Sequence, residues 1–193
     1  MIRTFENYLT QQKHILYING FRHWLIDETL DVYGRDDKTM KILSQFGDLI
    51  IHAQINWKSS ENQIDKLIEM IRKENISAIV GFSAGGYVSF DLSNKFRIPA
   101  LSINPAMAIT SAAPQLQPMP FKRDNINPNQ VVVIGENDTK ETKGVDGDLV
   151  SDMLESLNFK NRGGTIINLK KTKHLLTEGQ FDTVFKYFYK KYC

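Results

Sequence analysis

The chain has 193 residues, of which 41% are hydrophobic and 24% charged, and its net charge at pH 7 is +2. This composition is typical of one soluble globular domain and excludes collagen-like and disordered chains. The few excess positive charges are scattered, which argues against a nucleic-acid-binding surface. No apolar run is long enough to span a bilayer. Residues 1–13 lack the apolar core of a signal peptide. The single cysteine, Cys193, has no partner in the chain. We therefore expect a cytoplasmic protein that occupies residues 1–193 as a single domain, without an intrachain disulfide.

Short apolar runs alternate with helical patterns along the chain. This alternation predicts an α/β fold with a mainly parallel central sheet. Most of the apolar runs are continuous, as expected when helices cover both faces of the sheet. The predicted strands are His14–Ile18, Asp48–Ala53, Ala78–Gly81, Ala100–Ile103, Val131–Ile134 and Thr165–Leu169.

Helical patterns fall between these strands. Ser60 and Gln63 have the spacing of a capping box, and an apolar stripe at i, i+3, i+4 and i+7 follows them. Further helices are predicted near Lys38–Phe46, from about Ala84 to Lys95, around Leu149–Leu157 and over Phe181–Tyr189.

Two segments fit neither a helix nor a strand. Residues 22–35 have mixed polarity, and residues 107–129 contain four prolines, so they do not form one continuous helix. Long loops at the carboxyl ends of parallel strands usually line the active site. We expect these two loops to shape a substrate pocket.

A Gly-x-Ser-x-Gly motif at residues 81–85 is the strongest local signal. It lies between an apolar β-branched run and a segment that can form a helix. Serine is a weak nucleophile and must project from a sharp strand-to-helix turn toward a base. Because side chains at Gly81 and Gly85 would collide in that turn, the spacing predicts Ser83 as the nucleophile. A glycine-rich nucleotide-binding turn is disfavoured, since neither of the usual phosphate-binding motifs occurs.

A base and an acid are expected to follow the serine in the order Ser, Asp, His. Asp138 lies four positions after Ile134, in the turn just past the predicted strand, and His174 is the only histidine beyond it. We therefore predict Asp138 as the acid and His174 as the base. Asp138 could instead be a turn residue, with Glu136, Asp146 and Asp148 as other acids, and the other histidines, His14, His23 and His52, are interpreted as structural or unassigned.

The oxyanion of an acyl-transfer reaction needs backbone N–H donors. One is expected from Ala84, directly after the nucleophile, and the other from Phe21, in the loop that follows the first strand. Gly20 precedes Phe21 and allows close backbone approach. A simple glycine turn is the alternative interpretation of this loop.

Four segments together resemble the small bacterial α/β-hydrolases of the YqiA-like esterase family. They are Leu16–Phe21, Gly81–Tyr87, Ile98–Ala106 and Gly135–Asp138, and the Asn-Pro-Ala sequence at residues 104–106 is the most specific of them. The resemblance implies an α/β-hydrolase fold, hydrolysis of carboxylic esters without a cofactor or metal, and a triad of Ser83, Asp138 and His174.

The chain also departs from that family. Asn19 stands where the family usually has histidine, residues 107–129 look short, which suggests a small lid or none, and basic residues 170–173 precede His174. We expect a serine hydrolase that forms an acyl-enzyme from a small acyl ester or thioester. An acyltransferase with the same triad and a non-catalytic binding protein are the alternatives. The aromatic and basic segment 185–192 could contact a lipid surface. Such a helix more often packs on the sheet, so no stable membrane association is expected. The oligomeric state is open.

Overall fold

A sheet of six strands forms the centre of the protein. The structure is a computed structural model, and it describes residues 13–20, 33–46, 49–53, 55, 57, 63–106, 126–135, 154–172 and 174–193. The strands are β1 (His14–Ile18), β2 (Leu49–Ala53), β3 (Ile76–Phe82), β4 (Ala100–Ile103), β5 (Gln130–Gly135) and β6 (Thr165–Leu169). They lie in the order β2-β1-β3-β4-β5-β6, and every neighbouring pair is parallel. The prediction of an α/β fold with a mainly parallel sheet is confirmed.

Among the described residues, four long α-helices flank the sheet, two on each face. They are α1 (Tyr33–Ser44), α2 (Gln63–Lys73), α3 (Ala84–Phe96) and α4 (Glu178–Tyr192). One apolar cluster joins α1 and α4 to alternate strand residues, and a second joins α2 and α3 to the residues that point the other way. Both faces are buried because most of the strands are apolar at consecutive positions rather than at every second one.

The C-terminal helix α4 packs its aromatic stripe on the sheet. Phe181, Val184, Phe185 and Phe188 are all buried, and the ring of Phe46 at the end of α1 meets that of Phe185 edge to face at 4.8 Å. These buried rings are therefore part of the protein core and do not face outward. Within the described part of the chain, no helix is both long enough and apolar enough to cross a membrane.

The strand order changes direction beside β1. The chain passes from β1 to β2 on one side and then crosses to β3 on the other side before continuing to β6. In open parallel sheets, ligands bind outside the carboxyl ends of the strands at such a switch point. The segments that follow β1 and β3 are Asn19–Gly20 and Ser83, so the predicted nucleophile lies at the place where the topology favours a site.

Most predicted elements are present with small changes of their bounds. The β1, β4 and β6 predictions have the observed bounds, while β3 is longer at both ends. Helix α1 begins at Tyr33 rather than Lys38, and α4 begins at Glu178 rather than Phe181. Ser60, residues 149–153 and residues 107–125 lie outside the described residues, so the first capping box and the long proline-containing loop stay predictions.

Candidate active site

One residue, Ser83, separates a strand from the helix that follows it. Strand β3 ends at Phe82 and helix α3 begins at Ala84. The backbone of Ser83 has φ 55° and ψ −117°, a conformation that L-residues rarely adopt and that persists only where the surroundings enforce it. Only 5% of the residue is exposed. The sharp strand-to-helix turn expected around Ser83 is confirmed.

Two glycines make this turn possible. A Cβ atom added to Gly81 would lie less than 3.0 Å from the backbone carbonyl of Gly85, and one added to Gly85 would lie less than 3.0 Å from the carbonyl oxygens of Ile18 and Asn19. The collision expected of side chains at both positions is therefore confirmed. The absence of a side chain at Gly85 also lets helix α3 approach the end of β1.

Hydrogen bonds hold the backbone of Ser83 on both sides. Its N–H donates to the carbonyl of Ile103 at 2.9 Å, and its own carbonyl accepts from the N–H groups of Tyr87 and Ala106, each at 3.0 Å. Strand β4 and the segment after it thus fix the peptide groups of the turn. With the backbone held, the only remaining freedom of Ser83 is the rotation of its side chain.

His174 lies at the same edge of the sheet as Ser83. It follows β6 by five residues, and only 6% of it is exposed. Its ring centroid lies 5.1 Å from that of Phe82, the residue directly before Ser83. The structure therefore places the ring of His174 against the residue that precedes Ser83, although 91 positions separate His174 and Ser83 in the sequence.

Helix α4 anchors the loop that carries His174. Thr177 caps the helix: its side chain accepts from the N–H of Gln180, and the Gln180 side chain accepts from the N–H of Thr177 at 2.9 Å. The amide of Gln180 also donates to the hydroxyl of buried Thr172 at 2.7 Å. Both ends of the short segment 172–177 are thereby attached to the first turn of α4, with His174 between them.

The loop after β1 meets the nucleophile turn. A Cβ atom added to Gly20 would lie 3.2 Å from the Cβ of Ser83. The Gly20 carbonyl accepts hydrogen bonds from the Asn19 amide and from the indole N–H of Trp57, each at 3.1 Å. Asn19 also accepts from the N–H of Ile55 at 2.9 Å. The Asn19 side chain thus provides hydrogen bonds that order this loop.

Several predicted site residues lie outside the described residues. They are Phe21, His23, Asp138 and the other acids Glu136, Asp146 and Asp148. The structure does describe Ala84, which is buried as the first residue of α3. Strand β5 ends at Gly135, so the chain enters residues 136–138 from the same edge as Ser83 and His174.

The remaining described histidines are away from this edge or in the sheet. His14 begins β1 at the opposite edge, where its ring nitrogen contacts the carbonyl of Glu74, and His52 in β2 has its ring 5.0 Å from that of Tyr17. Their interpretation as structural residues agrees with these positions. Among the described residues, no group of three or more His, Cys, Asp and Glu side chains is arranged to hold a metal ion.

Two contributors to the site went unrecognised in the sequence. One is Trp57, whose indole holds the Gly20 carbonyl from 37 positions away; nothing in its local sequence indicates this. The other is the Thr177–Gln180 pair, for which the Thr-x-x-Gln spacing was an available signal.

The comparisons with known proteins bear on both the family and the fold. Residues 37–186 match the model of a family described as "Uncharacterised protein family (UPF0227)". The chain belongs to this family. No curated protein matches the sequence significantly, and the UPF0227 family description itself names no activity.

Solved structures that share the fold, all of low sequence identity, include proteins described as esterases and hydrolases. The esterase domain of a Rhodothermus marinus protein has a TM-score of 0.66 at 10% identity, over 95% of this chain and 90% of that one. An esterase from Pyrobaculum calidifontis has a TM-score of 0.61 at 12% identity, over 93% and 77%. A predicted CIB-like hydrolase from Thermoplasma acidophilum has a TM-score of 0.59 at 12% identity, over 94% and 88%. This UPF0227 chain therefore has the α/β-hydrolase fold, which confirms the fold expected from its motifs.

Proposed function

We propose that the protein is a serine hydrolase that cleaves small carboxylic esters or thioesters through an acyl-enzyme on Ser83. The observation that carries the proposal is the strained backbone of Ser83, with φ 55°, directly after Phe82, whose ring contacts that of His174. Backbone strain of this kind costs about 1–3 kcal/mol and is concentrated at functional sites. A serine with a merely structural role does not require it.

His174 is the proposed general base. A serine hydroxyl becomes an effective nucleophile only when an adjacent group removes its proton. In the proposed reaction, His174 takes the Ser83 proton as Ser83 attacks the acyl carbon, and then gives it to the leaving alcohol or thiol. Water, activated by the same imidazole, then attacks the acyl-enzyme and releases the acid.

Asp138 is the proposed acid that orients His174. It lies three positions beyond Gly135, where β5 ends at the edge that carries Ser83 and His174. An acid there would accept a hydrogen bond from the imidazole and stabilise its charged form. Because Asp138 lies outside the described residues, its assignment rests on sequence order and on the end point of β5.

Two backbone N–H groups are the proposed oxyanion donors. The N–H of Ala84 belongs to the first residue of α3, where an N–H has no partner within the helix, and the positive end of the helix dipole favours a developing negative charge. The second proposed donor is the N–H of Phe21. The carbonyl of the preceding residue, Gly20, accepts hydrogen bonds from Asn19 and Trp57. In a trans peptide the following N–H points the opposite way from that carbonyl.

Two alternatives use the same residues. An acyltransferase would differ only in the acceptor that releases the acyl group, and a binding protein on this scaffold would keep the residues without the reaction. The strained Ser83 backbone favours catalysis over the binding protein, and the acceptor is decided by whether an added alcohol or thiol diverts the product from free acid.

A fluorophosphonate probe tests the proposal without knowledge of the substrate, because it reacts with activated serines. We expect the purified protein to be labelled at Ser83, as located by mass spectrometry. Labelling should disappear in Ser83→Ala and fall by a factor of about 10⁴ or more in His174→Ala. His14→Gln, which changes a histidine at the opposite edge of the sheet, is the matched control and should be labelled like the wild type. A folded wild-type protein that is not labelled at Ser83 would refute the proposed reaction.

A further inference from the structure

Asn104 occupies the point where strand β4 ends, and its backbone is in the left-handed region. Its φ is 42°, a value that asparagine, aspartate and glycine adopt more readily than other residues. Only 1% of the residue is exposed, and its N–H donates to the carbonyl of Val133 in β5 at 2.8 Å. A buried amide in this position must find partners for both its oxygen and its nitrogen.

The side chain of Asn104 joins two further segments. Its Oδ1 accepts from the N–H of Gly135 at 2.7 Å, and its Nδ2 donates to the carbonyl of His174 at 2.6 Å. Gly135 is the last residue of β5, from which the chain continues toward Asp138. One amide thus connects the backbone of the proposed base with the strand that leads to the proposed acid.

The same short segment also holds the nucleophile. Ile103, directly before Asn104, accepts from the N–H of Ser83, and Ala106, two residues after it, donates to the carbonyl of Ser83. Residues 103–106 therefore contact the backbones of Ser83 and His174, and that of Gly135, from which the chain continues toward Asp138. The Asn-Pro-Ala motif at 104–106 otherwise has no part in the proposed reaction.

We propose that Asn104 is a positioning residue that fixes the relative placement of Ser83, His174 and the segment leading to Asp138. It acts through the backbones of His174 and Gly135 and does not touch the reacting atoms, and the proposal rests on the function proposed above. Because displacement of a catalytic group by about 1 Å can slow a reaction about a hundredfold, loosening this connection should slow acylation without weakening ligand binding.

Asn104→Asp is the sharpest variant. Aspartate has the same shape, tolerates the left-handed backbone and keeps an acceptor for the Gly135 N–H, but its carboxylate has no donor for the His174 carbonyl. The matched control is Asn127→Asp. Asn127 is also buried, and its amide donates to the carbonyls of Ser93 and Ile98 near the amino ends of the strands, away from the site.

The experiment measures the fluorophosphonate reaction of the wild type and both variants over a range of probe concentrations. In Asn104→Asp, we expect the maximal labelling rate to fall roughly 10- to 100-fold while the half-saturating probe concentration stays unchanged. Hydrogen exchange followed by mass spectrometry should be faster in peptides that cover residues 170–176. In Asn127→Asp, both the labelling rate and the exchange of those peptides should be those of the wild type.

Two results with folded variants would overturn the inference. If folded Asn104→Asp is labelled as fast as the wild type, or if Asn127→Asp slows labelling equally, Asn104 does not position the triad. If Asn104→Asp fails to fold, Asn104→Gly, which keeps the left-handed backbone, replaces it; failure of both would show a folding residue instead. A wild type that is not labelled fails before any variant is made, and it refutes the proposed function together with this inference.

Discussion

Gly85 decides whether the nucleophile turn can form. A Cβ atom at this position would lie less than 3.0 Å from the carbonyl oxygens of two residues at the end of β1. Backbone groups cannot rotate away as a flexible side chain can, so the strand end and the start of helix α3 would have to separate. The same glycine therefore supports the packing of α3 and the conformation of Ser83.

We predict that Gly85→Ala lowers the free energy of unfolding by about 3 kcal/mol and abolishes labelling of Ser83. Gly179→Ala is the control, because Gly179 lies in the first turn of α4 and an added Cβ there meets nothing within 4 Å. It should leave labelling intact and raise the free energy of unfolding by about 0.5–1 kcal/mol, since alanine favours a helix. Urea denaturation and probe labelling measure both effects. Equal stability changes in the two variants would contradict the close approach at Gly85.

The start of helix α4 links its stability to the site. Thr177 and Gln180 form a capping box, and Gln180 continues the network to Thr172 in the His174 loop. An N-terminal cap satisfies N–H groups that have no partner within the helix. In this protein the cap also attaches the loop that carries the proposed base.

Thr177→Ala should cost about 1 kcal/mol of stability and lower the melting temperature by about 2–4 °C. It should also increase hydrogen exchange in residues 170–176, because the Gln180 side chain loses the hydrogen bond that it accepts from the Thr177 hydroxyl at 3.2 Å and keeps only the one from the Thr177 N–H. Thr183→Ala is the control, since the Thr183 hydroxyl donates to the Gly179 carbonyl on the exposed side of the same helix. The control should change the melting temperature by less than about 1 °C. Equal effects of the two substitutions would exclude a special role for the cap.

The strands could be predicted from sequence more closely than the helices. Continuous apolar runs such as Ile15–Ile18 stop where polar residues begin, so their limits are local. Helix α4 was predicted to begin at Phe181 because its apolar stripe begins there. The helix starts at Glu178, because the cap is made by polar side chains that the periodicity of apolar residues does not register.

The site could be predicted only where it depends on local motifs and chain order. Ser83 follows from its flanking glycines, and His174 from its position after the acid. The connections made by Asn104 and Trp57 join residues 70 and 37 positions apart, so no local pattern contains them. Tertiary hydrogen bonds of this kind become visible only when the order of the strands is known.

The carboxyl ends and the amino ends of the strands carry residues with different roles. At the carboxyl edge lie Gly20, Ser83, Asn104 and His174. At the amino edge, polar side chains close the structure: Asn127 binds the Ser93 and Ile98 carbonyls, and His14 contacts Glu74. This separation explains why a buried asparagine at one edge can serve as a control for one at the other.

Asp91, in helix α3, gives the stability of the whole protein a dependence on pH. Burial raises the pKa of its carboxyl to about 6, and the positive charge of Lys95 one turn later opposes this only in part. The folded protein therefore binds this proton more tightly than the unfolded chain, where the pKa is 3.8. The stabilising effect is complete below about pH 4 and is lost as the pH rises through 6.

We predict that Asp91→Asn raises the free energy of unfolding at pH 8 by about 1–3 kcal/mol, since each pKa unit corresponds to about 1.4 kcal/mol, and gives no such gain at pH 4. Urea denaturation of both proteins at pH 4, 6 and 8 measures the difference. Asp182→Asn, which removes the partner of Lys186 in a surface ion pair, should change stability by less than about 1 kcal/mol and in the opposite direction at pH 8. If Asp91→Asn had the same effect at pH 4 and pH 8, burial of the Asp91 charge would not be the cause, because a gain from packing alone is independent of ionisation.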